Sequence, residues 1–217
     1  AAGFVMYSPE YLKRIRELCD RYKVHLIADE IAVGFGRTGS FFACEQAGIW
    51  PDMLCLSKGI TAGYLPLSLV MTTDRIYSAF YDTDIARGFL HSHSYTGNPL
   101  ACRAALASLE LFRLHDVINQ NRIISGKINL ALESLKQHSC VRHFRNRGMI
   151  WAFDAMMTPE KQATFPRRFF ETALKHELLM RPIGNTVYLM PPYILNDTDI
   201  EQLAEKTITV FNEVIQA

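Results

Sequence analysis

Leu12, Ile15, Leu18, Cys19 and Tyr22 recur at the three- and four-residue spacing of an amphipathic helix. Ahead of them, Ser8-Pro9-Glu10 supplies a capping side chain, a proline suited to the first turn and an acid that favours the positive helix end. Residues 24–28 form a mostly apolar run, interrupted by His25 and short enough for a buried strand, that stops at Asp29-Glu30. A second run, Met53–Leu56, stops at Ser57-Lys58, and a third, residues 67–72, follows Gly63-Tyr64-Leu65-Pro66. Helix, buried strand, connection, buried strand is the rhythm of a mostly parallel α/β sheet covered on both faces.

Asn98-Pro99 opens an Ala- and Leu-rich helix to about Leu114, and a further amphipathic helix is expected over 116–137. From Val141 the pattern turns to short strands at Val141–Arg147, 149–155 and 187–190, with a helix over 166–179. Thr198-x-x-Glu201 reads as a capping box for a last helix, on which Ile200, Leu203, Thr207, Ile208, Phe211, Val214 and Ile215 share one face. Residues 1–115 therefore read as part of a large α/β layer and 116–217 as a smaller α+β domain. Two or three strands with so little covering helix make a poor core, so the first domain reads as partial.

Composition excludes more than it proposes. With 217 residues, 49% hydrophobic, 23 basic and 22 acidic side chains, the chain gives no electrostatic case for nucleic acid or an anionic membrane. No apolar run is long enough to span a bilayer, and Ala1-Ala2-Gly3-Phe4 carries no basic and apolar leader pattern. The start without Met points to processing or to a chain cut from something longer. Five dispersed cysteines without a C-x-x-C pair fit a reducing, cytoplasmic setting better than a disulfide or zinc framework.

Asp29 and Lys58 each follow a short strand directly. Ligands of open α/β sheets bind at the carboxyl ends of strands, so the two could face one crevice, or they could form an ordinary surface ion pair. Gly34-Phe35-Gly36-Arg37-Thr38-Gly39 matches the dinucleotide fingerprint, but residues 29–33 stand between the strand and Gly34, and the acid that would have to bind the ribose, Asp52, precedes its strand instead of ending it. A glycine loop beside the site is the better reading. His91 and His93 have no third metal ligand at a demanding spacing, although Cys102, Asp82 or Asp84 could supply one, and hydrogen-bonded loop histidines are the plainer reading. Ser92 and Ser94 could instead hold an anion ahead of the helix at Asn98. Arg181, held extended by Pro182, is either a snorkelling surface residue or a planar fork for a carboxylate.

The blocks Leu26-Ile27-Ala28-Asp29-Glu30-Ile31-Ala32-Val33-Gly34-Phe35-Gly36-Arg37-Thr38-Gly39 and Cys55-Leu56-Ser57-Lys58-Gly59 together resemble the class III aminotransferases, pyridoxal-phosphate enzymes of fold type I. His93-Ser94-Tyr95-Thr96-Gly97-Asn98-Pro99 and Arg181-Pro182, followed by Tyr188-Leu189-Met190-Pro191-Pro192-Tyr193, extend the resemblance over essentially the whole chain. It matches only the second part of such an enzyme. The resemblance implies that Lys58 forms the Schiff base with the cofactor aldehyde and later shuttles the proton, and that Asp29 pairs with the pyridine nitrogen. It implies that Ser94, with the His93 backbone, reaches the phosphate of the neighbouring subunit's cofactor in a homodimer with shared sites. Arg181 falls where the substrate carboxylate is bound, and Ser92 where many relatives have a glycine touching substrate.

The members it most resembles transfer an amino group from S-adenosylmethionine to 7-keto-8-aminopelargonate, giving 7,8-diaminopelargonate in biotin biosynthesis. Alternatives are an ω-amino-acid transaminase acting on 4-aminobutyrate or ornithine, a nicotinamide-dependent oxidoreductase in which Lys58 is incidental, or a non-catalytic remnant used for association. The family's phosphate cradle, ring-stacking aromatic and much of its substrate pocket belong to the upstream half. The 217 residues alone are therefore expected to bind cofactor weakly or not at all and to be inactive.

Overall fold

A computed structural model describes residues 3–216, which divide into two compact units. The first runs from Tyr7 to Ile118, and the second from Asn119 onward together with the residues before Tyr7.

In the first unit, helix α1 (Pro9–Tyr22) leads into strand β1 (Ile27–Asp29). Ser8 takes the N-cap position in an extended conformation, but its side chain makes no capping bond. Strand β2 (Met53–Leu56) lies parallel to β1, with Ile27 opposite Met53 and Asp29 opposite Cys55. Strand β3 (Leu69–Thr72) pairs with β2 on its other side but runs antiparallel, with Leu56 opposite Leu69. A third parallel strand would need a crossover, and the residues between β2 and β3 hold only the 3-10 turn Lys58–Thr61, so the chain folds back as a hairpin.

Nor is this sheet covered on both faces. No residue of α1 is buried, and Ile27 is 57% exposed. The core of the unit is small: Phe35, Leu54, Leu56, Ile60 and Ala105, with Phe41, Phe42 and Phe112 packed against them. Helix α2 (Asp74–Tyr77) is capped by Thr73, and helix α3 (Pro99–Leu114) by Asn98, whose Oδ1 accepts from the Leu100 and Ala101 N–H groups at 3.0 and 3.1 Å.

Helix α4 (Val117–Ala131) begins at the unit boundary and is followed by a separate turn, α5 (Glu133–Lys136), so the expected single helix is interrupted at Leu132. Strands β4 (Val141–Arg147), β5 (Ile150–Ala155) and β6 (Thr186–Leu189) form an antiparallel sheet in that order. Between β5 and β6 lie α6 (Pro159–Gln162) and α7 (Phe165–Lys175), and α8 (Asp197–Gln216) closes the chain. One face of the sheet buries Trp151 and Phe153 against Phe165, Phe169 and Phe211, all fully enclosed. This is the larger of the two cores.

The cap of α8 sits two residues earlier than Thr198 and Glu201 predict. Asn196 Oδ1 accepts from the Asp199 N–H at 2.9 Å while Asp199 Oδ2 accepts from the Asn196 N–H at 3.0 Å. An Asn/Asp pair performs the same reciprocal bonding as a Ser/Thr and Glu pair, and Thr198 already lies inside the first turn.

Candidate active site

Because β1 and β2 run side by side in the same direction, their carboxyl ends open on one edge. Asp29 ends β1, and Lys58 comes two residues after the end of β2. The Glu30 N–H donates to the Cys55 carbonyl at 3.0 Å, which continues the ladder one step past Asp29 and locks the two ends together. Asp29 is exposed; its Oδ1 accepts from the Ile31 N–H at 3.1 Å, a local turn that aims the carboxylate off the strand end. Lys58 is also exposed, and among the described residues no ion pair joins it to Asp29 or to any other acid.

Lys58 has φ 45°, a left-handed conformation that an unbranched L residue holds only when its surroundings impose it. The surroundings do so from three sides. Ser57 Oγ donates to the Leu67 carbonyl at 2.7 Å, Thr61 Oγ1 to the Leu65 carbonyl at 2.6 Å, and Ser108 Oγ on α3 to the Gly59 carbonyl at 3.3 Å. Gly59 itself packs on Phe35, where a Cβ would come within 2.9 Å of the Phe35 Cβ.

The glycine loop serves this packing. Phe35 is 2% exposed and meets Phe41, Phe42 and Phe112 through tilted or edge contacts. A Cβ on Gly34 would stand 2.9 Å from the Glu30 carbonyl oxygen, so the first glycine is fixed by close approach to the backbone. No helix begins at Gly39; the next element is the 3-10 turn Ala43–Ala47. The dinucleotide reading therefore has no structural counterpart. Asp52 does not face the strand ends: it accepts from the Leu26 N–H and from Arg16 Nη1, both at 2.8 Å, at the amino end of β2. The Leu26 N–H, then Arg16, hold its carboxyl well below the usual carboxylate range.

Glu30 is the residue the sequence reading passed over. It is 2% exposed, and its carboxylate accepts from the Ala43 and Cys44 N–H groups at 2.6 and 2.8 Å, closing the loop back onto the strand end. Burial, with Glu30 close by, pushes the Cys44 thiol up to about 12, so it stays protonated. In sequence Glu30 is only a second acid beside Asp29, ahead of a loop that Thr38, Ser40 and Gln46 also tie together.

His93, Ser94 and Ser92 lie together on an exposed loop ahead of α3. His93 Nδ1 accepts from the Tyr95 N–H at 3.1 Å, and its own N–H donates to Thr96 Oγ1 at 3.1 Å, so the histidine orders the turn. Among the described residues no three His, Cys, Asp or Glu side chains converge as a metal site. Arg181 belongs to the second unit. It stands exposed on the rim of a cleft of about 440 Å³ whose wall also includes Met180, Tyr188, Met190, Gln202 and Lys206.

The solved structures that this architecture matches are transaminases. The crystal structure of adenosylmethionine-8-amino-7-oxononanoate aminotransferase from Methanocaldococcus jannaschii matches with a TM-score of 0.90 and 34% identity, covering 98% of this chain and 51% of that one. An amine transaminase from an uncultivated Pseudomonas species, solved in its PLP-bound form, matches with a TM-score of 0.86 and 32% identity over 95% of this chain and 48% of its own. The aminotransferase class-III family model matches residues 1–211, and the chain belongs to that family. Among curated relatives, adenosylmethionine-8-amino-7-oxononanoate aminotransferase of Helicobacter pylori is 43% identical, with 99% of this chain and 50% of the relative aligned. The same enzyme of Synechococcus elongatus is 39% identical over 99% of this chain and 50% of its own. The chain spans about half the length of the curated relatives it matches.

Proposed function

We propose that this chain carries the lysine-bearing half of a pyridoxal-phosphate-dependent aminotransferase that moves an amino group from S-adenosylmethionine to 7-keto-8-aminopelargonate. The observation that carries the reading is Lys58, in a left-handed backbone clamped by its neighbours, at a strand end directly beside that of Asp29. The donor set fits the cofactor: a primary amine with no hydrogen-bond or ion-pair partner among the described residues, and an exposed carboxylate with one oxygen unbonded. Pyridoxal phosphate, when bound, supplies an electron sink for the carbanion left at the substrate α-carbon.

Lys58 would hold the cofactor through its amine and, once substrate takes that place, move the α-proton. Asp29 would keep the proton on the pyridine nitrogen, which maintains the sink. Ser94 and the His93 backbone would grip the phosphate belonging to a second subunit's site. Exposed Phe80, Tyr81, Phe89, Leu90 and Tyr95 around that loop support such a homodimer. Arg181 would pair with the substrate carboxylate through its planar fork, and the Ser92 backbone would touch substrate. We place the large-domain part at 1–115, the small domain at 116–217, and the protein in the cytoplasm, where its five free cysteines are stable.

The test is an assay for 7,8-diaminopelargonate with the chain alone and with the separately produced upstream half of the Helicobacter pylori relative. Product is expected only from the mixture, with S-adenosylmethionine as donor. Enzyme-like turnover by the chain alone would end the view that it needs that half. Product from 4-aminobutyrate but not S-adenosylmethionine would replace the substrate assignment with the ω-amino-acid one.

A further inference from the structure

Residues 3–6 lie with the second unit, and one side chain holds them there. Arg145 Nε donates to the Phe4 carbonyl at 2.9 Å, and Nη2 donates to the Gly3 carbonyl at 2.6 Å and to Asp154 Oδ1 at 3.1 Å. Nη1 donates to the His143 carbonyl at 2.7 Å, so every guanidinium nitrogen is engaged. Asp154 is fixed in turn: Thr186 Oγ1 donates to its Oδ1 at 2.8 Å, and His143 Nδ1 lies 3.0 Å from its Oδ2.

The register places these groups in rows. Arg145 and Tyr188 both stand opposite Ala152 on the central strand, and Thr186 stands opposite Asp154. Alternation along β5 and β6 sets this face opposite the one that buries Trp151, Phe153 and Val187, and a bulge in β4 between Arg142 and Arg145 brings Arg145 onto it. Ala152 is nevertheless fully buried while lying outside the main core cluster. A small side chain between Arg145 and Tyr188 leaves room for the strap. The Phe4 ring stacks on Tyr188 with centroids 4.2 Å apart and planes 27° apart.

Tyr188 is also a wall of the Arg181 cleft. A two-residue turn at Gly184-Asn185 joins Ile183 and Thr186 by reciprocal bonds of 2.9 and 3.0 Å, and Arg181, two residues before Ile183, lines the same cleft as Tyr188. We propose that Arg145 and Phe4 are positioning residues: the arginine pins the strap, the strap's aromatic ring fixes Tyr188, and Tyr188 sets the cleft in which Arg181 meets a carboxylate carried on a long alkyl chain. The inference rests on the assignment of Arg181 as the carboxylate fork.

Octanoate, a bare carboxylate on such a chain, is the probe. It is titrated into the 217-residue chain while NMR follows the Tyr188 ring and the Arg181 side chain, with thermal melting as a folding control. Shifts centred on Arg181 and Tyr188 are expected, and Arg181→Met should abolish them. Phe4→Leu and Arg145→Met should weaken binding about fivefold and broaden the Tyr188 ring signals even without ligand, while Phe4→Tyr restores both. Loss of binding in Arg181→Met with unchanged affinity and ring signals in Phe4→Leu would overturn the positioning role alone. Equal binding, or none, in wild type and Arg181→Met would remove the carboxylate assignment; the ligand-free Tyr188 signals would then still decide whether the strap fixes the ring.

Discussion

Gly59 and Phe35 approach so closely that a single added methyl has no room: its carbon would lie 2.9 Å from the Phe35 Cβ and 3.1 Å from Cδ2. Phe35 is buried among three other phenylalanines and cannot swing aside, so the strain of Gly59→Ala falls on the backbone that carries Lys58. Overpacking of this kind costs about 1–3 kcal/mol. Gly59→Ala should lower the melting temperature of the chain and reduce pyridoxal-phosphate labelling of Lys58; unchanged labelling would show that the lysine does not depend on this contact.

Asp52 makes stability pH-dependent in one direction. Its folded pKa lies below the unfolded value near 4, so the stabilisation is complete above that value and is lost as pH falls through it toward the folded one. The carboxylate is 12% exposed and paired with Arg16, which is 15% exposed, so about 2 kcal/mol should be at stake. Asp52→Asn should therefore melt earlier than wild type at pH 7, with the gap narrowing toward pH 3. A gap that stays constant across that range would mean that another acid dominates.

Two overlapping capping boxes at the start of α8 make opposite forecasts. The bonds between Asn196 and Asp199 imply that Asn196→Ala destabilises the chain by about 1 kcal/mol, while Thr198→Ala has little effect. Chemical denaturation of both variants separates them, and the reverse order would restore Thr198 as the cap.

How far sequence determined these features varied with the physics behind each. Met53–Leu56 and Val141–Arg147 have the same limits in pattern and structure, and Asn98-Pro99 marks the start of α3, because apolar runs and capping chemistry are local. The direction of β3 is not local: an apolar run reads the same in either direction, and only the short link after Lys58 selects a hairpin. Periodicity in α1 reported an amphipathic surface, not its burial, since the partner that would cover Leu12, Ile15 and Leu18 is a separate matter from the pattern itself. Asp29 and Lys58 stand out in sequence as charged residues that end or follow apolar runs, and the structure leaves both exposed at neighbouring strand ends. Glu30 does not stand out, because a buried carboxylate bonded to two backbone N–H groups looks in sequence like one more surface acid.

Borohydride reduction of the chain with excess pyridoxal phosphate, followed by peptide mapping beside a Lys58→Ala control, bears on the role of Lys58 most directly. Label concentrated at Lys58 and missing from the control is expected, even where overall binding is weak. Label spread evenly over other lysines, or undiminished in Lys58→Ala, would contradict the assignment of Lys58 as the cofactor-binding amine.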